Sequence, residues 1–147
     1  MKTALFPGSF DPFTRGHQSI VMRALASIAD EVVIAVGHNI NKKSMFTLSE
    51  RLESIRNAFP DETRVKVMSY EGLTTDFATQ VHADFILRGI RSVKDFEFER
   101  DIAETNRRLT GIETVILYTE PELAHVSSSI VRELLSYNKN VSAYLPE

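Results

Sequence analysis

Gly8-Ser9-Phe10-Asp11-Pro12-Phe13-Thr14-Arg15-Gly16-His17 separates an apolar run, Thr3 to Phe6, from an amphipathic segment that begins near Gln18. That placement makes the decapeptide a strand-to-helix loop. Gly8 and Gly16 permit positive φ or close approach to a ligand, and Pro12 fixes one φ. Ser9, Asp11 and Thr14 are short polar residues that bond nearby backbone groups. Where such a loop opens a helix, the unpaired N–H groups of the first turn and the positive end of the helix dipole form a ready phosphate site. His17 falls at that point. An imidazole that is neutral near pH 7, yet easily charged by an anionic neighbour, can donate to a phosphate oxygen where charge builds during phosphoryl transfer. The stretch therefore suggests a nucleotide-handling enzyme; the plainer alternative is ordinary α/β punctuation with His17 as a helix-start residue.

Outward from this loop, short apolar runs alternate with helical periodicity. Strands are expected at Thr3 to Phe6, Val32 to Val36, Val65 to Met68, Phe85 to Leu87 and Thr114 to Tyr118. Their consecutive apolar positions suggest burial on both faces. Ile20, Val21, Ala24, Leu25 and Ile28 form one helical stripe, and Leu48, Leu52, Ile55 and Phe59 a second. Thr47-Leu48-Ser49-Glu50 reads as a capping box and Pro60 as a stop. A short helix is expected from about Thr75 to His82, introduced by Thr74 or Thr75. A long one runs from about Val93 to Leu109, with Phe98, Ile102 and Leu109 inward and Gly111 as the stop. The last begins at Ser127 to Ser129 and carries Ile130, Val131, Leu134 and Leu135. This alternation predicts an α/β fold: a single domain over 1–147, with a five-stranded parallel sheet, helices on both faces and right-handed crossovers.

The totals narrow the class. A chain of 147 residues buries roughly two thirds of its unfolded surface without a metal or disulfide. With no cysteine, disulfides, thiolate metal sites and a cysteine nucleophile are excluded. The net charge of −3, with acids and bases interspersed, argues against an extended nucleic-acid surface. No apolar h-region follows Met1-Lys2 and no apolar span reaches about 18 residues, so neither export nor membrane insertion is signalled and a cytoplasmic protein is expected.

Ligands of such sheets bind outside the carboxyl ends of the strands. The loops there are Gly8 to His17, Gly37 to Lys43, Arg88-Gly89-Ile90-Arg91, and Thr119 to Val126 followed by three serines. Together they bring glycines, a histidine, two lysines, two arginines and hydroxyls to one face, a donor set suited to several phosphates. Each has an alternative: Lys42 and Lys43 as solvated charges, Arg88 and Arg91 paired with Asp95, Glu97 or Glu99, and the serines as N-caps. His38, His82 and His125 lack metal-ligand spacing. Glu99 is expected to contact a nucleotide's sugar or amine groups.

Phe6-Pro7-Gly8-Ser9-Phe10-Asp11-Pro12 with Thr14-Arg15-Gly16-His17 resembles the signature of the T/H-x-G-H nucleotidyltransferase superfamily. Lys42 to Leu48, Arg88 to Glu99 and Val126 to Ser129 look more specifically like bacterial phosphopantetheine adenylyltransferases, and the similarity spans nearly the whole chain. The resemblance implies a Rossmann-like nucleotidyltransferase fold and transfer of the adenylyl group of ATP to 4′-phosphopantetheine. The products are dephospho-coenzyme A and pyrophosphate, with Mg²⁺ as cofactor and no metal ligand assigned to a protein side chain. It implies catalytic roles for His17, Lys42 and Arg91. Ser9, Lys42, Thr74 and Arg88 would hold phosphopantetheine. Ser9, Phe10, His17, Gly89, Ile90, Arg91, Glu99, Leu123, Ala124, His125, Val126, Ser127, Ser128 and Ser129 would hold ATP. It further implies a homohexamer inhibited by coenzyme A, for which Phe96 and Phe98 would suit a subunit contact. Ser9 stands where many relatives have threonine, Phe6 where some have tyrosine, and Thr74 in place of a commonly apolar residue of the pantetheine channel. Alternatives are another adenylyl- or cytidylyltransferase of the superfamily, which the Arg88 to Glu99 stretch disfavours, and a non-catalytic nucleotide-binding subunit.

Overall fold

Five strands form one sheet in a computed structural model that describes residues 1–147. They are β1 (Thr3–Gly8), β2 (Glu31–Gly37), β3 (Val65–Tyr70), β4 (Phe85–Ile90) and β5 (Glu113–Tyr118). The order is β3-β2-β1-β4-β5 and every neighbouring pair is parallel. The chain moves outward from β1 to β3, then returns to the other side of β1 for β4 and β5. The reversal leaves a crevice beyond the carboxyl ends of β1 and β4, where open parallel sheets bind ligands.

The helices are α1 (Arg15–Ser27), α2 (Leu48–Ala58), α3 (Thr74–Gln80), α4 (Val93–Thr110) and α5 (Ser128–Ser136). On one face of the sheet, Ile20, Val21, Ala24 and Leu25 of α1 and Ile55 of α2 pack against Ala4, Phe6, Val32, Ile34 and Leu87. On the other, Phe77 and Ala78 of α3 meet Leu5, Val33, Ala35 and Ile86. Alternate residues of one strand thus feed two cores, so β1 and β2 are apolar without a break. The outer strands differ from the expectation of two-sided burial. β3 alternates between half-buried and exposed positions, and β5 is only partly covered, because an edge strand has one neighbour and no layer closing its far side.

Several boundaries move. Helix α1 begins at Arg15, not near Gln18, because Thr14 caps it. Helix α3 begins at Thr74 with Leu73 in the capping position and no side-chain cap, so neither threonine serves as one. Thr47 and Glu50 form the reciprocal capping box, and Gly111 ends α4 in the left-handed conformation at φ 80°. The inward placement of Phe98, Ile102 and Leu109 does not hold. They are 66%, 41% and 61% exposed, and the residue of α4 that is buried is Glu99. A polar partner on β4 draws the acidic side of this helix inward. No helix is long and apolar enough to cross a membrane.

Ile34 lies at the centre of β2 with no exposed surface. Ile34→Ala is expected to lower the free energy of unfolding by about 2–5 kcal/mol and Ile34→Val by about 0.5–1.5 kcal/mol, measured by urea denaturation. Equal losses would mean that the core relaxes around the site.

Candidate active site

The carboxyl end of β1 is crowded from within. A Cβ built on Gly8 would lie 2.9 Å from Cζ of Phe10, so glycine is required there for close packing. Neither Gly8 nor Gly16 adopts a positive φ; Phe10 does, at 48°. Its ring sits 5.3 Å from those of Phe6 and Phe13 and 5.0 Å from the imidazole of His17. The loop is therefore held by an aromatic cluster rather than left free. On the neighbouring strand a Cβ at Gly89 would lie 3.0 Å from Ile20, so glycine there lets α1 close onto β4 at the switch point.

His17 is set by the first turn of α1. Its backbone N–H donates to Oγ1 of Thr14 (3.3 Å), and its Nδ1 accepts from the backbone N–H of Thr14 (2.9 Å). The imidazole occupies the reciprocal position that glutamate fills in a common capping box. Because an N–H must donate to it, Nδ1 is unprotonated, and the proton of the neutral ring lies on Nε2. Burial among the phenylalanines, followed by the charges of Arg88 and Arg91, lowers the pKa from 6.5 to about 3. The ring is thus a fixed neutral donor, not the readily charged group expected from its residue type.

Around Gly8 three cavities meet. One of about 290 Å³ is lined by His17 with Ser9, Phe10, Gly89, Arg91 and Val126 to Ser129. A second, about 810 Å³, is lined by Ser9, Lys42, Lys43, Arg51 and Tyr70. The third, about 320 Å³, lies under Arg88 and is lined by Tyr70, Thr74, Glu99, Asn106 and Thr114. Ser9 borders the first two and Arg88 the first and third. All residues expected around phosphopantetheine therefore converge on the end of β1.

Some expected ATP contacts fall elsewhere. Ile90, Glu99, Leu123, Ala124 and His125 do not line the His17 cavity. Ile90 is buried in the body of the protein, Leu123 ends a 3-10 turn, and the His125 ring packs on Tyr144 at 5.7 Å. Glu99 turns to Arg88 instead, accepting from Nε at 3.0 Å and Nη2 at 2.6 Å. This bidentate pair is the partnership that draws α4's acidic side inward, and Arg88 also donates to the carbonyl of Pro7. Arg91 lies 3.6 Å from Asp95. Of the serines, Ser127 is an N-cap to Ile130, whereas Oγ of Ser128 donates to the carbonyl of Pro12 at 2.7 Å.

Three polar residues absent from the sequence-derived set shape the site. Asp11 is buried, and its carboxylate accepts from the backbone N–H groups of Met45 (2.9 Å) and Phe46 (2.8 Å), tying the Lys42 loop to the first loop. Arg132 borders both the His17 and Lys42 cavities, donating to the carbonyl of Asp11 at 2.8 Å and to Oγ of Ser129 at 3.2 Å. Its spacing of three from Ser129 on one helix face was the available sequence signal. Arg51, on α2, reaches the same loop and is 4% exposed.

The depressed pKa of His17 gives a pH prediction. Below pH 6.5 the unfolded imidazole takes a proton that the folded one refuses until about pH 3. The contribution to stability is therefore intact above pH 6.5 and is lost as pH falls toward about 3. Urea midpoints of the wild type are expected to fall more steeply across this window than those of His17→Gln. Parallel slopes would overturn the neutral-donor assignment.

Residues 5–134 match the cytidylyltransferase-like family. A phosphopantetheine adenylyltransferase of Bacteroides thetaiotaomicron is 59% identical over 147 residues, covering 100% of this chain and 97% of that protein. One from Flavobacterium psychrophilum is 50% identical over the same span with the same coverage. In three dimensions, the NadR protein in complex with NAD and AMP-PNP superposes with a TM-score of 0.64 at 17% identity, over 99% of this chain and 44% of that one. That likeness speaks for the fold alone, whereas the sequence matches run from end to end: the chain belongs to the cytidylyltransferase-like family and, within it, to the phosphopantetheine adenylyltransferases.

Proposed function

We infer that this protein transfers the adenylyl group of ATP to 4′-phosphopantetheine, releasing dephospho-coenzyme A and pyrophosphate. The observation that carries the reading is the meeting, at Gly8, of a donor-lined cavity around His17, a cationic cavity holding Lys42, and an amphiphilic cavity beneath Arg88. An adenylyl donor, an anionic acceptor group and its neutral arm need three such compartments with one common point. The family membership supplies the identity of the acceptor.

In this reading ATP lies in the His17 cavity, with its triphosphate toward Arg91 and the serine-capped start of α5, where the helix dipole favours anions. The acceptor phosphate lies between Ser9, Lys42 and Arg88. Its arm extends past Thr74 and Asn106, whose polar groups suit its amides. An acceptor phosphate oxygen attacks the α-phosphorus in line, the new P–O bond forms as the bond to the β-phosphate oxygen breaks, and pyrophosphate leaves with the electron pair. The protein makes no covalent bond to substrate, so its contribution is alignment and charge stabilisation. The Nε2–H of His17 donates to a non-bridging α-phosphate oxygen as charge builds there, and Arg91 and Lys42 offset the remainder.

Mg²⁺ fits as a passenger on the triphosphate. The one carboxylate bordering the His17 cavity, Asp11, has both oxygens engaged by backbone amides, and no group of three metal-binding side chains gathers anywhere. Bound there, the ion would neutralise phosphate charge. We also propose a cytoplasmic homohexamer inhibited by coenzyme A, which shares the pantetheine arm with the acceptor. In favour of assembly, α4 exposes Val93, Phe96, Phe98 and Leu109 along one solvent-facing helix.

The direct test is pyrophosphate release from ATP and Mg²⁺ with phosphopantetheine, with nicotinate mononucleotide and with no acceptor. Release with phosphopantetheine alone is expected; release only with another acceptor would sink the assignment. His17→Ala is expected to lower kcat by 10²- to 10³-fold, about 2.7–4 kcal/mol, with KM for ATP little changed. Lys42→Ala should raise KM for phosphopantetheine and spare that for ATP in steady-state kinetics. Arg88→Ala should do the same and also lower stability by about 3–5 kcal/mol, because it strands the buried Glu99 carboxylate.

A further inference from the structure

Arg51 is a buried cation without a carboxylate. It is 4% exposed, whereas Arg88 and Arg91 each pair with an acid. One terminal nitrogen, Nη1, donates to the carbonyl of Ser9 at 2.8 Å and to that of Gly37 at 3.3 Å. Its Nε is buried with no hydrogen-bond partner among the protein's own atoms. Carbonyl dipoles solvate a guanidinium in part, but they do not neutralise it, and a buried charge left so costs stability unless something else meets it.

The surroundings show where that charge acts. Arg51 lines the Lys42 cavity together with Lys43 and Arg132, against only two acids, Asp11 and Glu71. Asp11 is committed to the amides of Met45 and Phe46, and Glu71 is exposed on the rim after β3. The carbonyl that Arg51 grips belongs to Ser9, which borders both this cavity and that of His17. The capping box of Thr47 and Glu50 fixes the turn of α2 from which the side chain reaches in.

We propose that Arg51 is a positioning residue of the transfer reaction: it holds the Ser9 carbonyl in register and supplies a standing positive charge whose counter-ion is the acceptor's phosphate. The inference rests on the function proposed above in taking that phosphate to enter the Lys42 cavity. Lys42 meets the phosphate from an exposed, flexible four-carbon stem, whereas Arg51 acts from a buried position beneath the same loop. The burial of an unpaired cation is then the standing cost of a site that is complete only with its anion.

Inorganic phosphate serves as the probe, with chloride at equal ionic strength as the reference. Phosphate is expected to raise the thermal unfolding midpoint of the wild type, and Arg51→Met to abolish most of that rise. In turnover, Arg51→Met is expected to raise KM for phosphopantetheine about tenfold or more while KM for ATP stays within about twofold, in keeping with loss of one charge-assisted contact. Arg51→Lys, which keeps the charge but not the fork, should retain the phosphate effect and recover part of the KM loss. If Arg51→Met does not fold, Arg51→Lys carries the test alone. The proposal is overturned if phosphate fails to stabilise the wild type, if Arg51→Met merely lowers the midpoint and keeps the phosphate increment, or if Arg51→Lys loses that increment. A wild type that is stabilised by phosphate through Arg51 but does not turn over phosphopantetheine would refute the acceptor's identity and leave the anion role in place.

Discussion

The reciprocal hydrogen bonds between Thr14 and His17 start α1 and orient the imidazole in the same act. Helix formation leaves its first N–H groups without partners, and the cap resolves that for Thr14, whose N–H is accepted by Nδ1 of His17, and for His17, whose N–H is accepted by Oγ1 of Thr14. The ring's single proton is thereby driven to Nε2. A donor prepared in this way needs no reorganisation when charge appears on a phosphate oxygen, which is where electrostatic catalysis gains most. The phenylalanine cluster and the two nearby arginines keep the ring neutral, so the same packing that builds the loop sets the chemistry of its last residue.

Around that donor the charges divide by whether they are already satisfied. Arg88 is offset by Glu99 and Arg91 by Asp95, so each is held in place at some loss of net charge toward a ligand. Lys42 and Arg51 have no acid of their own. The cationic potential is consequently strongest on the Lys42 side of Gly8, and weakest beneath Arg88, where Thr74, Tyr70 and Asn106 offer neutral hydrogen-bonding groups. A substrate with an anionic head and an amide-bearing arm matches that gradient. The Tyr70 hydroxyl lies 2.8 Å from that of Thr74, so the hydroxyl at position 74 has a partner in the protein.

The switch point of the sheet makes these arrangements possible. Because β4 crosses to the far side of β1, loops separated by eighty residues open onto one crevice. The small side of that arrangement is carried by Gly8 and Gly89: a Cβ at Gly8 would lie 2.9 Å from Phe10, and one at Gly89 would press on Ile20 at 3.0 Å. Their requirement is steric and specific to the packed state, which explains why these glycines, at the ends of β1 and β4, were legible as necessary while the reason for them was not.

Sequence alone determined the strands and helices, because periodicity records which side of each element must leave water. It also pointed to His17, Lys42, Arg88 and Arg91, because loops rich in glycines and cations follow strands of one sheet and so converge on one edge, and because their motifs resemble those of a known family. Only the tertiary structure decided which charges pair. Glu99 pairs with Arg88 of β4, and Asp11, Arg51 and Arg132 lock the first loop across distances that no local pattern records. The outward display of Phe98 and Leu109 was likewise hidden, because an apolar stripe states that a face seeks cover and not whether the cover comes from its own sheet. Ion pairing and buried hydrogen bonds depend on positions in space, whereas hydrophobic periodicity depends on order along the chain; the first becomes readable only once the second has folded.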